Sequence, residues 1–285
     1  MFFYYSFRQI LSIFFNPDYL NHSITITKTK TKTKTESITE TETSVRKRGE
    51  EKMRGWNVGK IGKSIHIGVN ESSINSRPLK YCEDDALAMA RIAYSQGWSP
   101  TPLFGQEAKY ETVKKLIKSA AEELEGGDIF WLSFSGHGCK VLDNLGNEFD
   151  GYDESLVLQD KLLIDDELHE WWSLFKPGVR ILVILDCCHS GGFDVPEPKT
   201  KSCPVIEASG ILLASCAYSQ VSRLGNGYGA FTEKLLQIWN GGKFQGNYSS
   251  MLDAAAKKLI PRQRPQYVKF GVNDEQFNDL EVFKI

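Results

Sequence analysis

The 285-residue sequence predicts an α/β fold, a mostly parallel sheet with helices on both faces. Three observations predict it. Short apolar runs that stop at glycine or a small polar residue read as buried strands, most plainly Phe130–Phe134 and Ile181–Leu185. Segments of helical periodicity stand between those runs. Hydrophobic residues make up 41% of the chain, enough for a sizeable core.

In chain order, residues 1–60 are expected to be a disordered, low-complexity tail. Residues 1–20 are apolar and aromatic, read either as a targeting or anchoring peptide or as an unstructured leader, with Met53 an alternative start. From Thr25 to Thr43 threonine alternates with Lys, then with Glu and Ser, which leaves almost nothing to bury. Order is expected over 61–285, as a large part (61–195), a linker loop (196–208) and a small part (209–285).

Ile65–Val69 reads as a first strand and Glu83–Ala93 as a helix whose acidic start suits the positive end of the helix dipole. Val113, Leu116, Ile117, Ala120, Ala121 and Leu124 lie on one helical face, stopped by Gly126-Gly127. After the strand at 130–134 come an acidic loop, a hairpin over Leu156–Ile164 and a helix from Asp165 to Phe175. Pro177-Gly178 breaks that helix before a strand from Val179 to Asp186. Residues 194–208 are proline-rich and polar, hence a loop. Gly210–Ser215 is another strand, Ala230–Trp239 and Tyr248–Leu259 are helices, and Gln266–Val272 is a last strand.

Charge is unevenly spread. Residues 1–63 hold 12 basic and 6 acidic residues, leaving 22 basic and 30 acidic in the rest. The acidic globular part argues against nucleic acid as main partner and suits a basic ligand or a cation. Six cysteines without regular spacing point to reduced thiols in a cytoplasmic setting. No stretch approaches the roughly 20 apolar residues needed to span a bilayer, so no membrane partner is expected.

Two stretches carry the chemistry. Ser135-Gly136-His137-Gly138 ends one strand and Asp186-Cys187-Cys188-His189-Ser190-Gly191-Gly192 ends another. Ligands in open α/β sheets bind beyond the carboxyl ends of the strands, so a histidine and a cysteine meet at one rim. A thiol attacks as its thiolate and needs a base beside it. This casts Cys188 as nucleophile and His137 as base, with the backbone N–H groups of Gly138 and Cys188 as oxyanion donors. A zinc site built on Cys187, Cys188, His189 and His137 is a weaker alternative, since C-x-x-C spacing is absent. Ser190 as nucleophile is weaker still, because G-x-S-x-G is not matched.

These motifs closely resemble those of the caspase-like cysteine peptidases, and within them the metacaspases, over roughly residues 62–285. Further landmarks are Leu79–Ala86, Gly127-Asp128-Ile129, Asp150–Glu154, Ile164–Leu168, Leu213–Cys216 and Gly229–Thr232. The His-to-Cys separation of 51 residues matches the caspase spacing. The resemblance implies a caspase-hemoglobinase-like three-layer sandwich and a His137–Cys188 dyad. It also implies an acidic S1 pocket from Cys82, Asp85, Ser135 and Asp186. Asp85 and Asp186 at one pocket would demand a cationic guest, so the expected substrates are proteins or peptides with Arg or Lys at P1. The Q-A-C motif of true caspases is missing. Tyr81 stands where the family often has Gly, and Cys187 where it often has another residue. The family leans to monomers.

Residues 143–170 hold ten acidic residues and one basic one, Lys161, read either as a solvated acidic surface or as a hard-cation site. Asp150, Asp153, Asp165 and Asp166 supply carboxylate oxygens for calcium. Metacaspases are commonly calcium-activated through an I-x-D-D segment, which Asp165-Asp166 matches; Asp194 is a further candidate. Lys199 and Lys201 in the linker are candidate self-cleavage sites, and Arg46-Lys47-Arg48, Lys52 and Arg54 offer similar ones for removing the tail. The competing classes are a non-catalytic interaction module that keeps the fold, and a calcium-binding regulator.

Overall fold

β1 (Gly62–Gly68), β3 (Ile129–Ser135), β7 (Arg180–Asp186) and β8 (Ser209–Ala214) form the buried centre of a six-stranded sheet. The computed structural model describes residues 59–75, 77–143, 151–187, 204–215, 227–261 and 263–285. Outside them lie most of the expected tail, Asp150, Cys188, Asp194, Lys199 and Lys201.

The sheet order is β2-β1-β3-β7-β8-β9, where β2 is Ser99–Phe104 and β9 is Gln266–Gly271. Every neighbouring pair is parallel except β8 with β9. The sheet is therefore mostly parallel, as the sequence predicts. β2 is not anticipated, because Pro100 and Pro102 argue against a strand. It is tolerated at the sheet edge: residues two apart point their amide positions the same way, so both missing N–H groups fall on one side of the strand.

Alternation along each strand sorts the side chains onto two faces. One face takes Ile65, Ile67, Phe130, Leu132, Phe134, Ile181, Val183 and Leu185, covered by α2 (Tyr110–Glu123) and α3 (Asp165–Trp172). The other takes Ile129, Trp131, Leu182, Ile184, Ile211 and Leu213. It is covered by α1 (Cys82–Ser95), α4 (Ala230–Trp239), α5 (Tyr248–Ala256) and the short α6 (Glu275–Asn278). Burying side chains on both faces is what permits the near-continuous apolar runs. α3 ends three residues earlier than expected. Leu174 and Phe175 donate to carbonyls only three residues back, a tightened turn that runs into Pro177-Gly178.

The acidic stretch is not a solvated loop where it is described. β4 (Gly138–Leu142), β5 (Tyr152–Val157) and β6 (Leu162–Ile164) form an antiparallel three-stranded sheet. The expected hairpin is its β5–β6 half. β4 escapes notice because Gly138-Cys139-Lys140 lacks strand-like alternation. Asp153 and Glu154 in β5 are buried.

Candidate active site

Three side-by-side positions end the central strands on the α1 face. Gly68 is opposite Ser135, and Ser135 is opposite Asp186. A Cβ on Gly68 would stand 2.4 Å from the Cys82 carbonyl oxygen, so the bare glycine lets the first turn of α1 lie directly on the sheet. That close approach carries Cys82 and Asp85 onto the row. Ser135 donates its hydroxyl to Asp85 Oδ2 at 2.7 Å. From the far side, the start of α4 supplies amides: Gly229 N–H to Asp85 at 2.9 and 3.1 Å, and Thr232 N–H to Asp186 Oδ2 at 3.0 Å. The positive end of the α4 dipole faces both carboxylates. Cys82, Asp85, Ser135 and Asp186, four residues spread over 105 positions of sequence, thus share one buried cluster.

The electrostatics follow from burial. Asp85 is pushed up to about 8, first by loss of water and then by the neighbouring Asp186. The Cys82 thiol is pushed up to about 12 by burial, with Asp85 and Asp186 adding to it. Cys82 is therefore a protonated thiol at neutral pH and unsuited to attack.

His137 follows β3 directly and is half-buried. Its carbonyl accepts from Val157 N–H at 2.9 Å, which ties the turn to the smaller sheet. Its Nε2 lies 2.7 Å from the Arg77 carbonyl oxygen. A carbonyl only accepts, so Nε2 carries the proton in the neutral ring and Nδ1 keeps its lone pair. Gly138 begins β4 beside it, paired with Leu156. Asp186 leads through the buried Cys187 to Cys188, which lies outside the described residues.

A second carboxylate cluster lies at β5 and the start of α3. Asp153, Glu154 and Asp165 are buried, and Asp166 is adjacent. Asp165 is pushed up to about 8, by burial first and then by Glu154 and Asp153. Lys140 Nζ reaches Glu154 at 3.3 Å. All-oxygen donors that repel one another suit a hard cation in chemistry. Among the described residues no three His, Cys, Asp or Glu side chains are grouped so as to hold a metal ion.

Arg77, Gly229 and Thr232 are the site residues that sequence reasoning does not single out. Arg77 and Thr232 act through the main chain, which leaves no side-chain signature. Gly229 stands in one of the family-like landmarks, but nothing in the sequence says that the glycine faces two carboxylates. A Cβ there would lie 2.3 Å from Asp186 Oδ2 and 2.8 Å from Asp85 Oδ2.

A family model described as the caspase domain matches residues 62–275, from the start of β1 into α6. The chain belongs to the caspase-domain family. Within it the resemblance is to metacaspases. A metacaspase-1 of Schizosaccharomyces pombe is 33% identical over 124 residues, 41% of this chain and 27% of that protein. Metacaspase III c of Phaeodactylum tricornutum is 44% identical over 152 residues, 45% of this chain and 42% of that protein. The chain thus spans well under half the length of these two relatives. A crystal structure of a Geobacter sulfurreducens protein superposes with a TM-score of 0.71 at 33% identity, covering 79% of this chain and 99% of that one. Caspase-1 from Spodoptera frugiperda, at 14% identity and a TM-score of 0.52, covers 74% of this chain and 85% of its own and shares the fold. No helix among the described residues is long and apolar enough to cross a membrane.

Proposed function

We propose that this chain is a cysteine endopeptidase that hydrolyses peptide bonds after Arg or Lys through a Cys188–His137 dyad. The observation that carries the reading is the convergence of Asp85 and Asp186 on Ser135, next to a histidine whose Nε2 is tied to the Arg77 carbonyl. Burial first, and then the charge of the neighbouring Asp186, hold Asp85 protonated near neutrality. A P1 guanidinium or ammonium would displace that proton and pair with both groups. An Asp at P1 would meet like charge.

Cys188 gives its proton to His137 Nδ1, and the thiolate attacks the scissile carbonyl carbon. The N–H groups of Gly138 and Cys188 receive the resulting oxyanion. His137 then passes its proton to the leaving amine, and the C–N bond breaks to leave a thioester. Water, deprotonated by His137, attacks the thioester and releases the thiol. Nε2–H donation to Arg77 steadies the imidazole and its positive charge through both steps.

Calcium would enter this reading as an activator with Asp150, Asp153, Asp165 and Asp166 as candidate ligands, and the three described ones would have to draw together around it. When bound it would neutralise the carboxylates crowded around Asp165. Lys199 and Lys201 are the matching self-cleavage sites. Among the caspase-like peptidases, metacaspases lean to monomers, and a monomer is the state proposed.

The test is hydrolysis of fluorogenic peptides carrying Arg, Lys or Asp at P1, with and without millimolar calcium, beside Cys188→Ala. Cleavage after Arg or Lys that disappears in the variant supports the reading. Cleavage only after Asp overturns the pocket assignment and spares the dyad. Silence under all conditions, together with no selective alkylation of Cys188, favours a non-catalytic interaction module.

A further inference from the structure

Taking Cys188 as the nucleophile, we infer that Ser215, held in place by Gln263, is a positioning residue for the peptide group that joins Cys187 to Cys188. Ser215 follows the last residue of β8 and is fully buried. Its N–H donates to Leu185 O at 2.8 Å, the last main-chain rung between β7 and β8. The next carbonyl of β7, that of Asp186, turns the other way and receives Gly136 N–H at 3.5 Å. The carbonyl after that belongs to Cys187. It is taken by the Ser215 hydroxyl at 3.1 Å. One residue therefore brackets the strand end, its amide on carbonyl 185 and its side chain on carbonyl 187. The hydroxyl stands where a further β8 amide would be needed to continue the ladder.

The serine is itself fixed. Gln263 Nε2 donates to Ser215 O at 3.2 Å, and Gln263 is only 3% exposed. The acceptor is a carbonyl, which settles which end of the amide faces it. Gln263 is in turn anchored by its own N–H on Ile260 O at 2.9 Å.

A peptide unit is planar and almost always trans, so a hold on the Cys187 carbonyl would orient the opposed N–H of the same unit. That N–H belongs to Cys188 and is one of the two donors proposed for the oxyanion. Stabilisation of this kind depends on donors that are already oriented when charge develops, and it is lost steeply with misalignment. The residues that set the orientation come from β8 and the segment before β9. They lie on the far side of the linker from the dyad, so the two halves of the domain share one catalytic geometry.

Ser215→Ala removes one oxygen and keeps the Cβ, so the fold is retained. The measurements are kcat and KM on an Arg-P1 peptide and the rate of Cys188 alkylation by iodoacetamide, a reaction that needs no oxyanion donor. Ser215→Ala is expected to lower kcat about ten- to hundred-fold, with KM and the alkylation rate within about two-fold of the parent. Gln263→Met is expected to lower kcat less, and the double variant no more than Ser215→Ala alone, because Gln263 acts through Ser215. Unchanged kcat, or kcat and alkylation falling together, would overturn the inference. A parent chain that hydrolyses no peptide and shows no selective alkylation of Cys188 would instead sink the peptidase reading. The amide 15N shift of residue 188 then decides the point alone: it must move in Ser215→Ala, and an unmoved shift refutes the positioning role.

Discussion

The amide of Gly229 points at the carboxylate of Asp85, 2.9 Å from one oxygen and 3.1 Å from the other. This contact joins the start of α4 to the start of α1 across the end of the sheet. The two residues are 144 positions apart and have no pattern in common. Their meeting explains how two acids survive side by side in a buried place. Asp85 takes two oriented amide contacts and a serine hydroxyl, and Asp186 takes the Thr232 amide.

Gly229→Ala should crowd that carboxylate cluster. The added methyl carbon would fall inside contact distance of both carboxylates, and the backbone that follows is committed to the start of α4. We expect a loss of about 1–3 kcal/mol in stability, the usual cost of overpacking. Hydrolysis of Arg-P1 peptides should fall at least tenfold, mainly through KM. Chemical denaturation and steady-state kinetics on the same preparation check both.

Asp85 gives the protein a pH dependence whose sign can be worked out. Its folded pKa is raised from 3.8 to about 8, so the folded chain keeps a proton that the unfolded chain has released. The resulting stability is complete below about pH 4 and is lost as pH rises through 8. Asp165 is shifted in the same direction and adds to the slope. Asp85→Asn cannot ionise and still accepts from Gly229 and Ser135. We expect it to unfold at the same or a higher temperature than the parent at pH 9. Its hydrolysis after Arg should drop about a hundredfold. A melting series from pH 4 to 9 shows the flattened slope.

The sheet and its helices are legible because burial on both faces leaves long apolar runs, and the pocket residues are legible only through the family resemblance. What the sequence hides has physical causes. β2 is masked by prolines that only an edge position accommodates. The acids of β5 look like a solvated loop, since nothing local says that Asp153 and Glu154 turn inward. The Arg77 carbonyl and the Thr232 amide are main-chain groups that any residue could supply. Ser215 reads as an ordinary strand end until its hydroxyl is seen on the Cys187 carbonyl.

Tyr81 illustrates a cost that the sequence does hint at. It caps α1 with φ 74°, a left-handed conformation that bulky residues rarely adopt, at a position where similar peptidases often carry glycine. Tyr81→Gly should raise stability by about 1 kcal/mol, since relief of the backbone outweighs the entropy gained by the unfolded chain. Equilibrium denaturation reads this directly. A decrease would mean that the Tyr81 side chain contributes contacts worth more than the strain.

Calcium binding, if Asp165 is a ligand, must expel protons. Near neutrality Asp165 holds a proton because burial and the charges of Glu154 and Asp153 oppose its ionisation. A hard cation binds the ionised carboxylate, so each ion bound below about pH 8 releases part of that proton. Apparent affinity should therefore rise between pH 6 and 8 and level off above. Calorimetry at pH 7 in two buffers of different ionisation enthalpy should give different apparent heats, and the difference counts the protons. Asp165→Asn should remove the proton release and weaken binding at least tenfold. Its folding should be preserved, because the amide oxygen can still accept from the Asp166 N–H, 3.0 Å away in the parent, and only the longer 3.4 Å contact from the Glu154 N–H is given up. Heats that do not depend on the buffer would remove Asp165 from the site.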